Sequence, residues 1–233
     1  MHSGKGLALG IPTKDGITCI EWGIAIGTIQ WPMNMNRLVI GTHGNEDIAA
    51  SRQGIAEKAI EENCRYLFFI DDDVIVPSTC LLSMTYVLEQ NNPPVGKVAA
   101  VTGVYTGKCP TNPPHVYKEP GMGAYWHWKK GDIFEIAHCG AGCLLIDLRV
   151  LAQLPKPWFK FTMKENFSEG EDIFFCNLLA DNGYKILAHG DVLCKHWNRA
   201  SGEFHQLLPD SYPMLPRVEE SSAPIETPKG PVA

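Results

Sequence analysis

Strand-like and helix-like stretches alternate at short spacing through the first hundred residues, and that alternation narrows the fold more than any other feature. "GLALGIPT" (6–13) has the make-up of a buried strand closed by a Pro-Thr turn. "ITCIEWGIAIGTIQ" (17–30) predicts a helix despite its β-branched content, and "RLVIGTH" (37–43) a second strand. "NEDIAASRQGIAEKAIEENC" (45–64) opens on Asn45 as an N-cap candidate, continues with acidic residues and keeps helical periodicity. "RYLFFID" (65–71) is a third strand, "STCLLSMTYVLEQN" (78–91) a helix after Pro77, and "KVAAVTGVY" (97–105) a fourth strand. Strands separated by helices in this way pair in parallel, with helices covering the faces. The expected class is α/β: a Rossmann-like, mostly parallel central sheet flanked by helices. Ligands of such sheets bind beyond the carboxyl ends of the strands.

The second half reads differently. Residues 106–132 are rich in Pro, Gly and aromatics, long for a connection inside a compact domain, and hint at a substrate-facing segment. "IFEIAHCGAGCLLIDLRVLAQL" (133–154) predicts strand, glycine bend, strand and short helix; "SEGEDIFFCNLLADNGYKILA" (168–188) predicts an acidic helix start, a helix, an Asn-Gly stop and a strand. One domain is expected over residues 1–208, a first half ending at 105 and a mixed second half from 106, with a Pro- and Glu-rich mobile tail over 209–233.

Composition excludes some functions. Twenty Lys and Arg against 26 Asp and Glu leave a formal net charge of −6, so no global basic field draws in nucleic acid or anionic membrane. The longest apolar runs fall short of the roughly 18–20 residues that cross a bilayer, and the N-terminal stretch lacks a signal-peptide core. A soluble, cytoplasmic protein is expected, with peripheral membrane contact left open. The eight cysteines form no Cys-x-x-Cys pair. His138, Cys139 and Cys143 admit either a zinc site or buried thiols.

The cluster that carries chemistry is "YLFFIDDDVIVP" (66–77). Three adjacent carboxylates after an apolar strand either stand solvated at the strand end or hold a cation, because desolvated like charges repel. On an extended backbone Asp71 and Asp73 point to one side and Asp72 to the other, so the pair converges on one cation. Hard oxygen ligands suit Mg²⁺, Mn²⁺ or Ca²⁺; Ile75 and Val76 exclude an EF-hand loop. Further candidates are Glu169, Glu171 and Asp172 at a helix start, suited to a general base. His196 is a candidate imidazole ligand, and Arg52 a candidate phosphate partner.

Taken together, "LGIPTKDG", "AASRQGIAEKAIEENCRYLFFIDDDVIVP", "HCGAGCLLIDLRVL", "PWF" with "SEGEDIFFCNLLADNGYKIL", and "KHW" resemble, in order, the motifs of the GT-A glycosyltransferases of the broad family-2-like group, over roughly residues 7 to 198. The resemblance implies a GT-A fold, a nucleotide-sugar donor with UDP favoured, and Mn²⁺ or Mg²⁺. It makes Asp73 a metal ligand on the donor diphosphate and His196 a further protein ligand. Asp71 would contact the metal, through water, or the donor. Arg52 and Asp72 fall on the donor side, and Pro12, Thr13 and Asp15 line the base and ribose pocket. Gly140, Ala141 and Gly142 border sugar and acceptor. Asp172 becomes the catalytic base, which favours inversion, with Glu171 beside it. Trp126 and Trp128 would offer faces to the acceptor or else pack their loop onto the body. Two departures stand out: Gln53 replaces a frequent Asn, and the second strand ends in "THGN" without the acidic residue many relatives use. The acceptor (glycan, lipid carrier, protein or modified nucleic acid) and the oligomeric state are not legible. A sugar-1-phosphate nucleotidyltransferase and a catalytically silent sugar-nucleotide or glycan-binding domain are the alternatives, and "PTKDGIT" is a poor triphosphate loop for the former.

Overall fold

In the computed structural model the described residues are 4–42, 47–91, 97–109, 111–164 and 167–207. The chain runs β1 (Gly6–Pro12), α1 (Ile20–Thr28), β2 (Asn36–Thr42), α2 (Ile48–Glu61), β3 (Cys64–Ile70), β4 (Val74–Ile75), α3 (Cys80–Asn91) and β5 (Val98–Val104). The second half adds β6 (Val116–Tyr117), β7 (Ile133–Ile136), β8 (His138–Cys139), β9 (Cys143–Asp147), α4 (Leu148–Leu151), β10 (Thr162–Lys164) and β11 (Phe167–Glu169). It closes with α5 (Glu171–Asp181), β12 (Lys185–Leu193), β13 (Lys195–Trp197) and β14 (Phe204–His205). The tail expected over 209–233, and Asn45 as a helix cap, lie outside the described residues. The cap that serves α2 is Asp47, whose carboxylate accepts the Ala50 N–H at 2.7 Å.

The central sheet has seven strands in the order β2-β1-β3-β9-β5-β12-β7. β1 pairs in parallel with β2 and β3, and β12 with β5. β9 runs antiparallel between β3 and β5, and β7 antiparallel at the edge of β12. The alternation of the first hundred residues is thus expressed as expected, except that the third and fourth strands are not neighbours: a strand of the second half separates them. A second sheet, β14-β13-β4, caps the carboxyl edge, where β13 pairs antiparallel with β4.

Strand parity sorts the core into two layers. Leu67 and Phe69 of β3 join the layer that holds Ile55 and Ala56 of α2 and Phe175 of α5. Tyr66, Phe68 and Ile70 face the opposite layer, with Leu81 and Met84 of α3. The short "PWF" segment ties α2 to α5. Gln53 accepts the Trp158 N–H at 2.9 Å, and Phe159 stacks on Phe175 at 4.9 Å and meets Phe69 edge-on at 5.5 Å. Gln53 therefore works as a structural clamp in this chain. No helix among the described residues is long and apolar enough to cross a membrane.

Candidate active site

The site is built where β3 stops. Ile70 is the last strand residue, and the Val74 N–H donates to the Asp71 carbonyl at 3.1 Å, closing a turn over residues 71–74. The extended geometry expected for Asp71 and Asp73 is therefore corrected. Asp71 keeps the parity of Leu67 and Phe69 and faces α2, whereas the turn re-aims Asp73. The turn is fixed from outside as well. Trp22 Nε1–H donates to the Asp71 carbonyl at 2.8 Å, the Thr18 hydroxyl to the Asp72 carbonyl at 2.5 Å, and the Trp197 N–H to the Asp73 carbonyl at 2.8 Å.

Each aspartate has its own cation. Asp71 accepts from both terminal nitrogens of Arg52, at 2.9 to 3.2 Å, and Arg52 Nε donates to Glu171 Oε1 at 3.1 Å. Arg52 is 3% exposed and lies 5.5 Å from the Phe69 ring centroid, so this is a buried triad and not a solvated helix face. Asp72 Oδ1 is paired with Arg199 at 2.7 Å; the same guanidinium reaches both oxygens of Asp15, at 2.7 and 2.9 Å. Asp73 Oδ2 is bonded by Lys108, and its Oδ1 lies 3.3 Å from His196 Nε2. Burial alone would raise Asp73; His196 and Lys108 overcome it and hold the carboxyl down, at about 2.

The His196 ring has a defined polarity. Its Nδ1 is 2.6 Å from the Thr106 carbonyl, and a carbonyl only accepts, so Nδ1 carries the hydrogen. Nε2 then either carries a second proton or turns its lone pair toward the Asp73 carboxylate. In the second case the two electron pairs, 3.3 Å apart, would repel, and a cation between them would relieve that repulsion. A carboxylate and an imidazole whose other nitrogen is tied to a carbonyl fit a divalent ion with two protein ligands. Asp71 is committed to Arg52, and among the described residues no group of three His, Cys, Asp or Glu side chains is assembled for a metal.

Behind Asp73 stands an aromatic wall: Tyr105 stacks on His115 at 5.0 Å and meets His196 edge-on at 5.3 Å. The Tyr105 hydroxyl accepts the Gly142 N–H at 3.1 Å, and the Gly142 carbonyl accepts from Asp71 N at 3.2 Å. The Gly140-Ala141-Gly142 turn thus borders the aspartates, and its glycines answer to space. A Cβ on Gly142 would sit 3.0 Å from Asp71 Oδ2, and one on Gly140 would sit 2.1 Å from the Tyr105 hydroxyl. Gly140→Ala is expected to cost about 1–3 kcal/mol in urea denaturation, and less in a Tyr105→Phe background. Equal losses in both backgrounds would show that the hydroxyl is not the obstacle.

Asp172 is the second residue of α5, behind Gly170 and Glu171. Burial first and Glu171 second push its carboxyl up to about 6. Its charge adds to the upward shift of the Tyr105 and Tyr117 phenols, which is mainly due to burial. Glu171 is 7% exposed and held by Arg52. Glu169 accepts from Asn177 at 2.9 Å.

Other candidates fall as follows. Pro12 ends β1 and is buried, while Thr13 and Asp15 shape the next turn, accepting the Gly16 and Ile17 N–H groups at 2.9 and 3.0 Å. Arg199 links that turn to Asp72. Trp128 is 6% exposed and stacks on Phe134 at 5.8 Å, so of the two roles expected for it the structure gives it the packing one; Trp126 is half-buried against the same core layer. Cys139 and Cys143 are buried free thiols, and His138 Nε2 is engaged by Asn177 at 2.8 Å, not by the cysteines. Lys108, Arg199, Tyr105 and Thr106 were not singled out from sequence. The available signal was topological: each follows a strand whose carboxyl end meets the edge where β3 ends.

No protein-family model and no curated protein sequence matches the chain. Solved structures do. The crystal structure of A197 from STIV matches with a TM-score of 0.62 at 15% identity, over 87% of this chain and 94% of that one. The crystal structure of S. aureus TarS matches with a TM-score of 0.50 at 11% identity, over 80% of this chain and 35% of that one. At such identities the likeness is one of fold, and with the seven-stranded, mostly parallel sheet it defines a GT-A-like α/β fold.

Proposed function

We propose that the chain is a metal-dependent glycosyltransferase that moves a sugar from a nucleoside-diphosphate sugar, a UDP-sugar by preference, to an acceptor hydroxyl with inversion. The observation that carries this is the meeting of Asp73 Oδ1 with His196 Nε2 while Nδ1 is tied to Thr106. Local charge supports it. Asp15, Asp71, Asp72, Asp73, Glu171 and Asp172 outnumber the permanent cations paired with them, Arg52, Lys108 and Arg199. A diphosphate would be repelled unless a divalent cation came with it. Asp73 and His196 would hold Mn²⁺ or Mg²⁺, which supplies charge stabilisation for the departing diphosphate.

The remaining work falls to the chain itself. Asp172, raised to about 6, is ionised near neutral pH and still basic enough to take the acceptor hydroxyl proton. The hydroxyl oxygen attacks the anomeric carbon on the face opposite the diphosphate, which inverts configuration. Arg52 grips Asp71 and Glu171 together, so the end of β3 and the start of α5 keep a fixed separation. The turn at Thr13 and Asp15 would form the nucleoside side, and the Gly140–Gly142 turn, packed against Tyr105 and Asp71, would border the sugar.

Calorimetric titration of UDP and GDP into the protein, with Mn²⁺ and with EDTA, tests this. UDP is expected to bind with Mn²⁺ and to lose at least about tenfold in affinity with EDTA or in Asp73→Ala. Equal UDP binding in EDTA would overturn metal dependence, and no binding of either nucleotide would favour a silent domain.

A further inference from the structure

Lys108 is a cation that the family-like motifs do not account for. It sits on the loop after β5, and that loop is tied at both ends. Gly107 N donates to the Pro113 carbonyl at 2.8 Å and His115 N to the Tyr105 carbonyl at 2.9 Å, with Thr106 and Pro114 forming a bridge. Near its tip, Asn112 Oδ1 meets His205 Nδ1 at 2.8 Å, which anchors the loop to β14. These bonds fix Gly107, Asn112 and His115, and the Lys108 side chain is 29% exposed, against 17% for Asp73 and 13% for His196. Its ammonium uses Asp73 Oδ2, the oxygen that His196 does not face.

Two cations on one carboxylate repel and divide its charge between them. Asp71 and Asp72 cannot take up the surplus, because Arg52 and Arg199 hold them. An incoming anion on the same side would draw the ammonium off Asp73, and a diphosphate is that anion in the glycosyl-transfer reading on which this inference rests. We infer that Lys108 is a second cationic arm of the donor site: it weakens metal binding at Asp73 while the site is empty and grips the donor's diphosphate once the donor is present. A compact ammonium on a flexible stem suits such a shift, since its hydrogen bonds need no fixed fork geometry. The arrangement makes metal and donor bind cooperatively, because the donor removes from Asp73 the lysine that opposes the metal.

The test separates the two arms. Mn²⁺ alone is titrated calorimetrically into wild type and Lys108→Met, and UDP is then titrated into each at saturating Mn²⁺. Lys108→Met is expected to bind Mn²⁺ alone about three- to tenfold more tightly and UDP at least about tenfold more weakly. Lys108→Arg, which keeps the charge, is expected to restore UDP binding in part. If Lys108→Met leaves either affinity unchanged, the inference is overturned. If wild type binds Mn²⁺ but no nucleotide, it is the glycosyl-transfer reading that fails, and the Mn²⁺ arm then shows by itself whether Lys108 opposes the metal.

Discussion

Asp172→Asn is expected to lower kcat by about 10³-fold, leave UDP affinity within about twofold, and stabilise the protein. The first two follow from removing a base that the nucleotide does not touch. The third follows from the raised carboxyl. A group near 6 in the folded chain and 3.8 in its ordinary state keeps its proton in the folded chain between those values. As pH rises through that window the unfolded chain gains relative stability, and above about 6 the ionised Asp172 is a standing cost. Asparagine removes it and can still accept the Ile173 N–H that Asp172 accepts at 2.8 Å. The gain should be on the order of 2 kcal/mol at pH 8 and fade toward pH 4, read by urea denaturation at both. In wild type kcat should rise with pH through about 6 and then level. A variant that is inactive and also less stable at pH 8 would point to a packing role for Asp172, and an active variant would end its assignment as base.

Arg52→Met is the second large effect. It removes the only cation bonded to Asp71 and Glu171 among the described residues, and it leaves the buried Glu171 beside the half-buried Asp71. A loss of about 3–5 kcal/mol is expected near pH 8. It should shrink toward pH 5, because Asp71, whose carboxyl burial already pushes up, escapes by taking up a proton once the cation is gone. Arg52→Lys should recover only part, since one ammonium cannot make the fork to Asp71 and reach Glu171 as well. Double substitution of Asp71→Asn and Glu171→Gln in the Arg52→Met background should be more stable than Arg52→Met alone. A loss under about 1 kcal/mol for Arg52→Met would mean that the triad is not the buried clamp described.

The element order was legible because burial on both sheet faces writes continuous apolar runs such as Tyr66–Ile70, and those runs are separated by helix signals. The place of β9 was not, because the short apolar run over residues 143–146 carries no mark of which strands it will join. The aspartates were conspicuous as charge after an apolar run, and Asp73 with His196 was found from motif order. The divergence of Asp71 from Asp73 was hidden, since one turn hydrogen bond after Ile70 decides it. Arg52 stood out as an arginine among Ala and Ile, but its helix gives no sign that Asp71 and Glu171 will meet it there. Lys108 and Arg199 lie in loops, and their charge is legible only once the strands gather at one edge. The glycines of "HCGAGC" were seen as a bend; the Tyr105 hydroxyl that requires one of them is 35 residues away in sequence, beyond any local pattern.

The position of β9 also bears on how the chain comes to be folded. When residues up to Val104 have left the ribosome, every strand of the first half exists, yet β3 and β5 have no partner for the flanks they turn toward each other. That gap stays open until Asp147 emerges, and until then both flanks are bare backbone able to pair with other chains. A polypeptide cut near residue 105 should therefore aggregate when made alone and become soluble when the remainder is supplied with it.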